Sequence, residues 1–167
     1  MNPRRNQAPV LQCTTVTPLP TGEALDALLA MPGGPDDAAD HLADMPFVLC
    51  ELGEHAEETE HAAHLWTAEE QPPPGLWFLW TGNDGGLRVH HRFATLTMCP
   101  ARLHDLRKDS RQWCGLFEDH PGPHSFHVRD PLKELLHERT RREARRRTAG
   151  DDPGPDNKDD DEDRETP

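Results

Sequence analysis

The chain has few of the residues that build a large hydrophobic core. Its 167 residues include no Tyr, five Phe and four Trp, and only 34% of them are hydrophobic. No segment approaches the roughly 18 consecutive apolar residues of a membrane-spanning helix. This composition predicts one modest core, and small cores usually depend on disulfides, a bound metal or a partner for their stability.

Cysteine is also scarce, with four residues at positions 13, 50, 99 and 114. The N-terminal segment has two arginines but lacks the apolar run that follows them in secretory leaders. We therefore expect a cytoplasmic protein without membrane association, in which thiols stay reduced. The cysteines are then predicted to be free thiols or metal ligands, and the eleven histidines of the chain favour a metal.

Positive charge is confined to a few places in a chain whose formal net charge is −13. Residues 132–150 carry seven Lys or Arg against three Glu, whereas residues 151–167 carry nine Asp or Glu against two Lys or Arg. The rest of the chain is strongly acidic, which argues against a general nucleic-acid surface.

These patterns predict an α+β protein with four parts. Residues 1–20 lack periodicity and are expected to be a flexible N-terminus. Residues 21–130 are predicted to form a metal-stabilised α+β domain. A basic helix is expected over 131–150, since Asp130 and Pro131 supply an N-cap and a first helical residue. The acidic, proline-containing segment 151–167 is predicted to be a disordered tail.

Within the domain, the apolar spacing predicts short helices over 21–31 and 36–45 and a strand over 46–50. The segment 54–66 is rich in Ala, Glu and Leu and contains no Gly or Pro, so propensity predicts a third helix there.

A β-hairpin is the clearest structural prediction. The run LWFLW at 76–80 has the length of a buried strand, and TGNDGG at 81–86 has turn chemistry. From Leu87 to Phe93, apolar residues and histidine alternate with Arg88, His90 and Arg92, as in a strand with one buried face.

Two segments repeat a pattern of metal-capable residues. Each reads C-x-L-x-E, then a histidine, then H-x-x-H. The residues concerned are Cys50, His55, His61 and His64 in the first segment, and Cys114, His120, His124 and His127 in the second.

Zinc, the cofactor that these residues favour, binds four nitrogen or sulfur ligands tetrahedrally, and short Cys–His spacings let one turn supply two of them. In the second segment, H-P-G-P-H is a tight turn able to direct both imidazoles inward, and the predicted set is Cys99, Cys114, His120 and His124. In the first segment Cys50, His61 and His64 supply three ligands, and the fourth is His55 or Cys13. One metal, two metals, or one shared between the segments all remain open.

The patterns C-x-L-x-E-x-H-x-G-x-H at 114–124 and W-F-x-W at 77–80, with the Gly/Asp turn after it, resemble segments of small uncharacterised actinobacterial proteins. The resemblance covers about residues 47–130. It implies a Cys/His metal-knuckle module and no particular activity.

These features favour a non-enzymatic, zinc-stabilised interaction or regulatory protein whose partner is another protein. The chain contains no G-x-S-x-G nucleophile motif and no phosphate-binding loop. One alternative is a nucleic-acid-binding regulator that uses the arginine-rich segment 137–148, with Arg139, Arg141, Arg142, Arg145, Arg146 and Arg147. A metal-dependent hydrolase, or a protein of metal storage or delivery, is a further alternative.

Overall fold

The computed structural model describes residues 9–82 and 87–149. The described residues fall into two compact units, which divide between Asp130 and Pro131. In the first unit the described residues form two α-helices, nine strands and one short 3-10 helix. The mixed helix-and-sheet class expected from the sequence is thereby confirmed.

The strands of the first unit are short except around its centre. They are β1 (Val10–Leu11), β2 (Val16–Pro18), β3 (Phe47–Leu49), β4 (His61–Thr67), β5 (Pro74–Gly82), β6 (Arg88–Thr97), β7 (Arg102–Asp105), β8 (Ser110–Trp113) and β9 (Val128–Arg129). The helices are α1 (Thr21–Ala30) and α2 (Ala38–Ala43), and the 3-10 helix is Ser125–His127.

An antiparallel sheet in the order β4–β5–β6 carries the core. Its central strand is buried on both faces, which explains the continuous apolar run in the sequence. Trp77 and Phe78 are fully buried, and the ring of Phe78 stacks on that of Trp80 at 5.4 Å. β5 and β6 pair as predicted, with Phe78 opposite Phe93, while residues 83–86 of the predicted turn lie outside the described residues.

The prediction of a helix over 54–66 is wrong, because residues 61–67 form β4. Propensity favoured a helix there, but pairing with β5 buries Ala62, Ala63 and Leu65 almost completely. Tertiary burial of this kind routinely overrides the small propensity differences between residues.

The N-terminal region also differs from the expectation of a flexible segment over 1–20. β1 pairs in parallel with β9, and β2 pairs with β3. Two- and three-residue strands are too short to show a periodicity in the sequence, so their order comes from partners distant in the chain. Residues 1–8 lie outside the described residues.

The second unit contains the helix α3 (Pro131–Ala149). Two of its ion pairs join residues four positions apart, Arg139 with Glu143 and Arg142 with Glu138. The side chain of Arg147 and the acidic segment 151–167 lie outside the described residues. Within the described ranges, no helix is long and apolar enough to cross a membrane.

Candidate metal centres

The first unit brings eight of its cysteine and histidine side chains into two groups of four. The first cluster comprises Cys13, Cys50, His55 and His61, and the second cluster comprises Cys99, Cys114, His120 and His124. Within each group, one ligand atom from every residue lies within 4.8 Å of the others. All four cysteines are free thiols.

The distances in the first cluster match the edges of a tetrahedron around zinc. Cys13 Sγ lies 3.6 Å from His61 Nδ1, and Cys50 Sγ lies 3.5 Å from His55 Nε2. With Zn–S near 2.3 Å and Zn–N near 2.05 Å, a tetrahedral angle places sulfur and nitrogen about 3.6 Å apart. These two S···N separations are those of tetrahedral zinc, and the four ligand atoms lie within 4.8 Å of one another, so together they could hold one metal ion.

The second cluster has the same dimensions. Cys114 Sγ lies 3.5 Å from His120 Nε2, and Cys99 Sγ lies 3.7 Å from His124 Nδ1. The two ring nitrogens of His120 and His124 are 3.2 Å apart, where two nitrogen ligands of a tetrahedral zinc would be about 3.3 Å apart. This set is the one that the sequence spacing predicted for residues 99–124.

The two clusters are built on the same backbone plan, which begins with a pair of antiparallel strands. Val16 of β2 lies opposite Leu49 of β3, and Arg102 of β7 lies opposite Trp113 of β8. In each case the pairing joins the residue three after the first cysteine to the residue just before the second. The two cysteines of a cluster therefore meet at the base of a two-stranded ribbon.

Main-chain hydrogen bonds around the first cysteine of each cluster are equivalent. The Cys13 N–H donates to the Leu52 carbonyl at 2.9 Å, and the Cys99 N–H donates to the Leu116 carbonyl at 2.8 Å. Leu52 and Leu116 are the leucines of the repeated C-x-L-x-E pattern, and each is 1% exposed. The pattern in the sequence therefore marks a buried anchor beneath each cluster.

The second cysteines are held in a matching way. The Cys50 N–H donates to the Thr15 carbonyl at 2.9 Å, and the Cys114 N–H donates to the Ala101 carbonyl at 2.8 Å. Both acceptors lie two residues after the first cysteine of their cluster. These reciprocal bonds fix the relative positions of the two sulfur atoms before any metal arrives.

Further N–H groups point at the sulfur atoms themselves. The Ser125 N–H donates to Cys114 Sγ at 3.5 Å, and the N–H of Ala62 bonds the Cys50 thiol in the other cluster. Each donor directly follows the last histidine of its cluster. Hydrogen bonds of this kind stabilise a thiolate, which is the form that binds a metal.

In the absence of a metal, burial shifts the pKa values of several candidate ligands. It raises the pKa of the Cys50 thiol to about 12, against the opposing effect of the N–H groups of Ala62 and Leu52. Burial, and then a neighbouring histidine, lowers the pKa of both His61 and His120. The lowered pKa favours the neutral form of these two imidazoles, which is the form that binds a metal, whereas a metal must displace the proton of the Cys50 thiol.

Two histidines that the sequence offered as ligands lie elsewhere. His64 Nε2 contacts Thr67 Oγ1 at 2.7 Å, and the His64 ring packs against Trp77 at 5.1 Å. The His127 ring is exposed and packs against Phe126 at 4.8 Å. The sequence spacing offered His55 and Cys13 as alternatives for the fourth ligand of the first segment. Both belong to the first cluster.

The physical reason for the exclusion of His64 is the strand. On a helix, residues three apart share a face, whereas on a strand they point to opposite faces. Since residues 61–67 form β4, His61 points to the first cluster and His64 points away from it.

A surface depression of about 400 Å³ adjoins the second cluster. Cys99, His120 and His124 form part of its wall, together with the carboxylate residues Glu118 and Asp119. Burial, and then the nearby Cys114, raises the pKa of the Cys99 thiol, to which the charge of Glu118 also contributes. Carboxylate residues thus border an open depression beside this candidate metal centre.

No protein-family model, no curated protein and no solved structure matches this chain.

Proposed function

We propose that this is a non-enzymatic, zinc-stabilised interaction or regulatory protein that holds two zinc ions and acts by binding another protein. The observation that carries the proposal is the pair of four-residue clusters, each with two S···N separations of 3.5–3.7 Å, close to the edge of a zinc tetrahedron. Two cysteines and two histidines fill all four positions of tetrahedral zinc, so no position is left for a reactive water.

A structural role for the metals agrees with the small core. The clusters tie together segments far apart in the chain, since Cys13 meets His61 and Cys99 meets His124. Structural zinc contributes on the order of 10 kcal/mol of apparent binding free energy, comparable to the whole stability of a typical domain.

The ribbon at the first cluster supports a protein partner. On one face of the β2–β3 ribbon, Val16 lies opposite Leu49, and Pro18 lies opposite Phe47. Val16, Phe47 and Leu49 are each more than half exposed. Apolar side chains grouped on a surface are typical of protein-interaction sites.

Metal content is the first test. Elemental analysis of protein purified without chelators is expected to give two zinc ions per chain. After replacement by Co²⁺, absorption spectra should show tetrahedral sites with two sulfur and two nitrogen ligands. Addition of azide, a small anion that binds open metal positions, should leave these spectra unchanged. Protein without metal would contradict the proposal, and a spectrum altered by azide would indicate an open site.

The partner is tested by site-specific photocrosslinking. A photoreactive amino acid replaces Phe47 on the ribbon or, as the matched control, the exposed Leu29 of α1. The proposal expects a protein crosslinked from position 47 and not from position 29. Equal crosslinking from both positions would contradict a partner-binding site on the β2–β3 ribbon.

The hydrolase alternative is tested at Glu118, whose carboxylate borders the depression beside the second cluster. A hydrolytic activity that Glu118→Gln abolishes without loss of zinc would favour an enzyme with Glu118 as general base. A storage or delivery protein would instead give up its zinc to a chelator without unfolding.

A further inference from the structure

The β7–β8 ribbon at the second cluster stands clear of the core. Every residue from Arg102 to Trp113 is exposed except Asp105, which is partly exposed. Leu106 at the tip is 82% exposed and Trp113 at the base is 59% exposed.

One face of the ribbon is cationic and aromatic. Residues directly opposite each other on paired strands share a face, and the faces alternate along the strand. The pairs Arg102–Trp113 and His104–Arg111 therefore lie on the same face. The other face carries the pairs Leu103–Gln112 and Asp105–Ser110. The Arg102 guanidinium lies over the Trp113 ring, 5.4 Å from its centre.

Positive charge is concentrated here in an otherwise acidic unit. The ribbon and its turn contain four of the seven Lys or Arg residues between positions 9 and 130, namely Arg102, Arg107, Lys108 and Arg111. Within the described ranges, none of these four side chains forms an ion pair. By contrast, Arg92 in the sheet is held by both carboxylate oxygens of Glu60 at 2.8 and 2.9 Å.

His104 Nε2 lies 3.3 Å from Asp109 Oδ1, so the groups of this face that remain unpaired among the described residues are Arg102, Arg111 and Trp113. We infer that these three side chains bind single-stranded nucleic acid. Guanidinium groups bind phosphates, and exposed aromatic rings and arginine planes stack on unpaired bases. A two-stranded ribbon that presents both groups on one face can bind a backbone and a base of the same strand. An acidic protein surface would satisfy the arginines but would leave the role of the exposed indole beside them unexplained.

The acidic charge of the rest of the unit does not prevent this contact. Each four-residue strand is roughly 13 Å long, at about 3.3 Å per residue. The Debye length at physiological ionic strength is about 8 Å, so the core charges are largely screened at the outer half of the ribbon, which holds Arg107, Lys108 and Arg111. At the base, stacking of a base on the Trp113 ring does not depend on net charge.

The inference goes beyond the proposed protein partner and depends on the proposed function at one point. Cys99 and Cys114 lie at the base of this ribbon, so the second zinc ion would hold its two strands together.

The test measures binding of the zinc-loaded full chain to fluorescein-labelled oligo(dT) and oligo(U) by fluorescence anisotropy. Loss of one stacking ring, in Trp113→Ala, is expected to weaken binding about 5- to 100-fold, with partial recovery in Trp113→Phe. Arg111→Ala should weaken binding and reduce the slope of log affinity against log salt by about 0.7. Gln112→Ala, on the opposite face of the same strand, should change the affinity less than twofold.

Four results would overturn the inference. The first is no binding by the unmodified chain, and the second is equal binding by Trp113→Ala and Gln112→Ala. The third is equal or tighter binding to a labelled poly-glutamate peptide, which would indicate an acidic protein partner. Loss of affinity in Arg142→Ala but not in Arg111→Ala would likewise move the interface to α3. Zinc is measured on every variant. A chain that holds two zinc ions but binds no oligonucleotide would refute this inference and leave the proposed function intact.

Discussion

Replacing His61 with alanine is expected to remove one of two zinc ions, whereas replacing His64 is expected to leave both. The two residues belong to one H-x-x-H pattern and differ only in the face of β4 to which they point. His61 is 9% exposed and its Nδ1 lies 3.6 Å from Cys13 Sγ. His64 lies instead against Trp77 and Thr67.

The magnitudes follow from these contacts. His61→Ala removes a ligand whose ion contributes on the order of 10 kcal/mol of apparent binding free energy, so the first cluster should lose its metal and order. His64→Ala removes one hydrogen bond and one ring contact, which together cost about 1–3 kcal/mol of unfolding free energy. The second variant should therefore fold with a lowered melting temperature.

Zinc content by elemental analysis and thermal unfolding by circular dichroism distinguish the two variants. If His61→Ala fails to fold, the more conservative His61→Cys keeps a metal-binding side chain, and its Co²⁺ spectrum should show a third sulfur ligand. Two zinc ions in His61→Ala, together with one in His64→Ala, would refute the assignment of the cluster and the strand geometry behind it.

Three further predictions concern stability. Gly53→Ala should lower the free energy of unfolding by about 1–3 kcal/mol, since its new Cβ would lie 2.9 Å from Val10 Cγ1. The matched control is Gly22→Ala on α1, where no atom lies within 4 Å of the new Cβ, and it should raise the free energy of unfolding by about 0.5 kcal/mol. Equal effects of the two substitutions in urea unfolding would contradict the packing at Gly53. Arg92 lowers the pKa of Glu60 below its ordinary value of 4.5, so this pair stabilises the fold above that pH and the effect is lost as the pH falls through the lowered pKa. Because both side chains are more than a third exposed, Arg92→Met should cost only a few tenths of a kcal/mol at pH 7 and nothing at low pH, and a difference that persists at pH 2 would contradict this. EDTA should unfold the first unit and abolish the tetrahedral Co²⁺ spectrum, and unchanged circular dichroism after complete zinc removal would show that the metals are not structural.

Much of the local structure could be predicted from residue patterns. The helix expected over 21–31 is α1 (Thr21–Ala30), because three leucines at helical spacing precede a Pro-Gly break. The apolar run at 76–80 lies within β5, because a strand buried on both faces must be apolar throughout. These features depend on neighbours in the sequence, which is why patterns reveal them.

Features that depend on distant partners could not be predicted in the same way. The segment 61–67 has the propensity of a helix but lies in the core sheet, because β5 offers it a buried edge to pair with. Cys13 belongs to a segment without periodicity, and its place in the first cluster follows from the pairing of β2 with β3. The β4–β5 pairs lie 8 to 19 positions apart in the chain and the β2–β3 pairs 29 to 33, separations at which local periodicity carries no information about the partner.

Residue types and their spacing predict the chemistry of the candidate sites: four cysteines among eleven histidines, with a C-x-L-x-E pattern that occurs twice. Which residues share a site depends on the fold, which also places the two leucines of the pattern beneath the clusters. A ligand set is a matter of distance and direction in space, and the direction of each side chain is fixed by whether its backbone is helical or extended. That choice sends His61 inward and His64 away, and it leaves the arginines of β7 and β8 on one exposed face with Trp113.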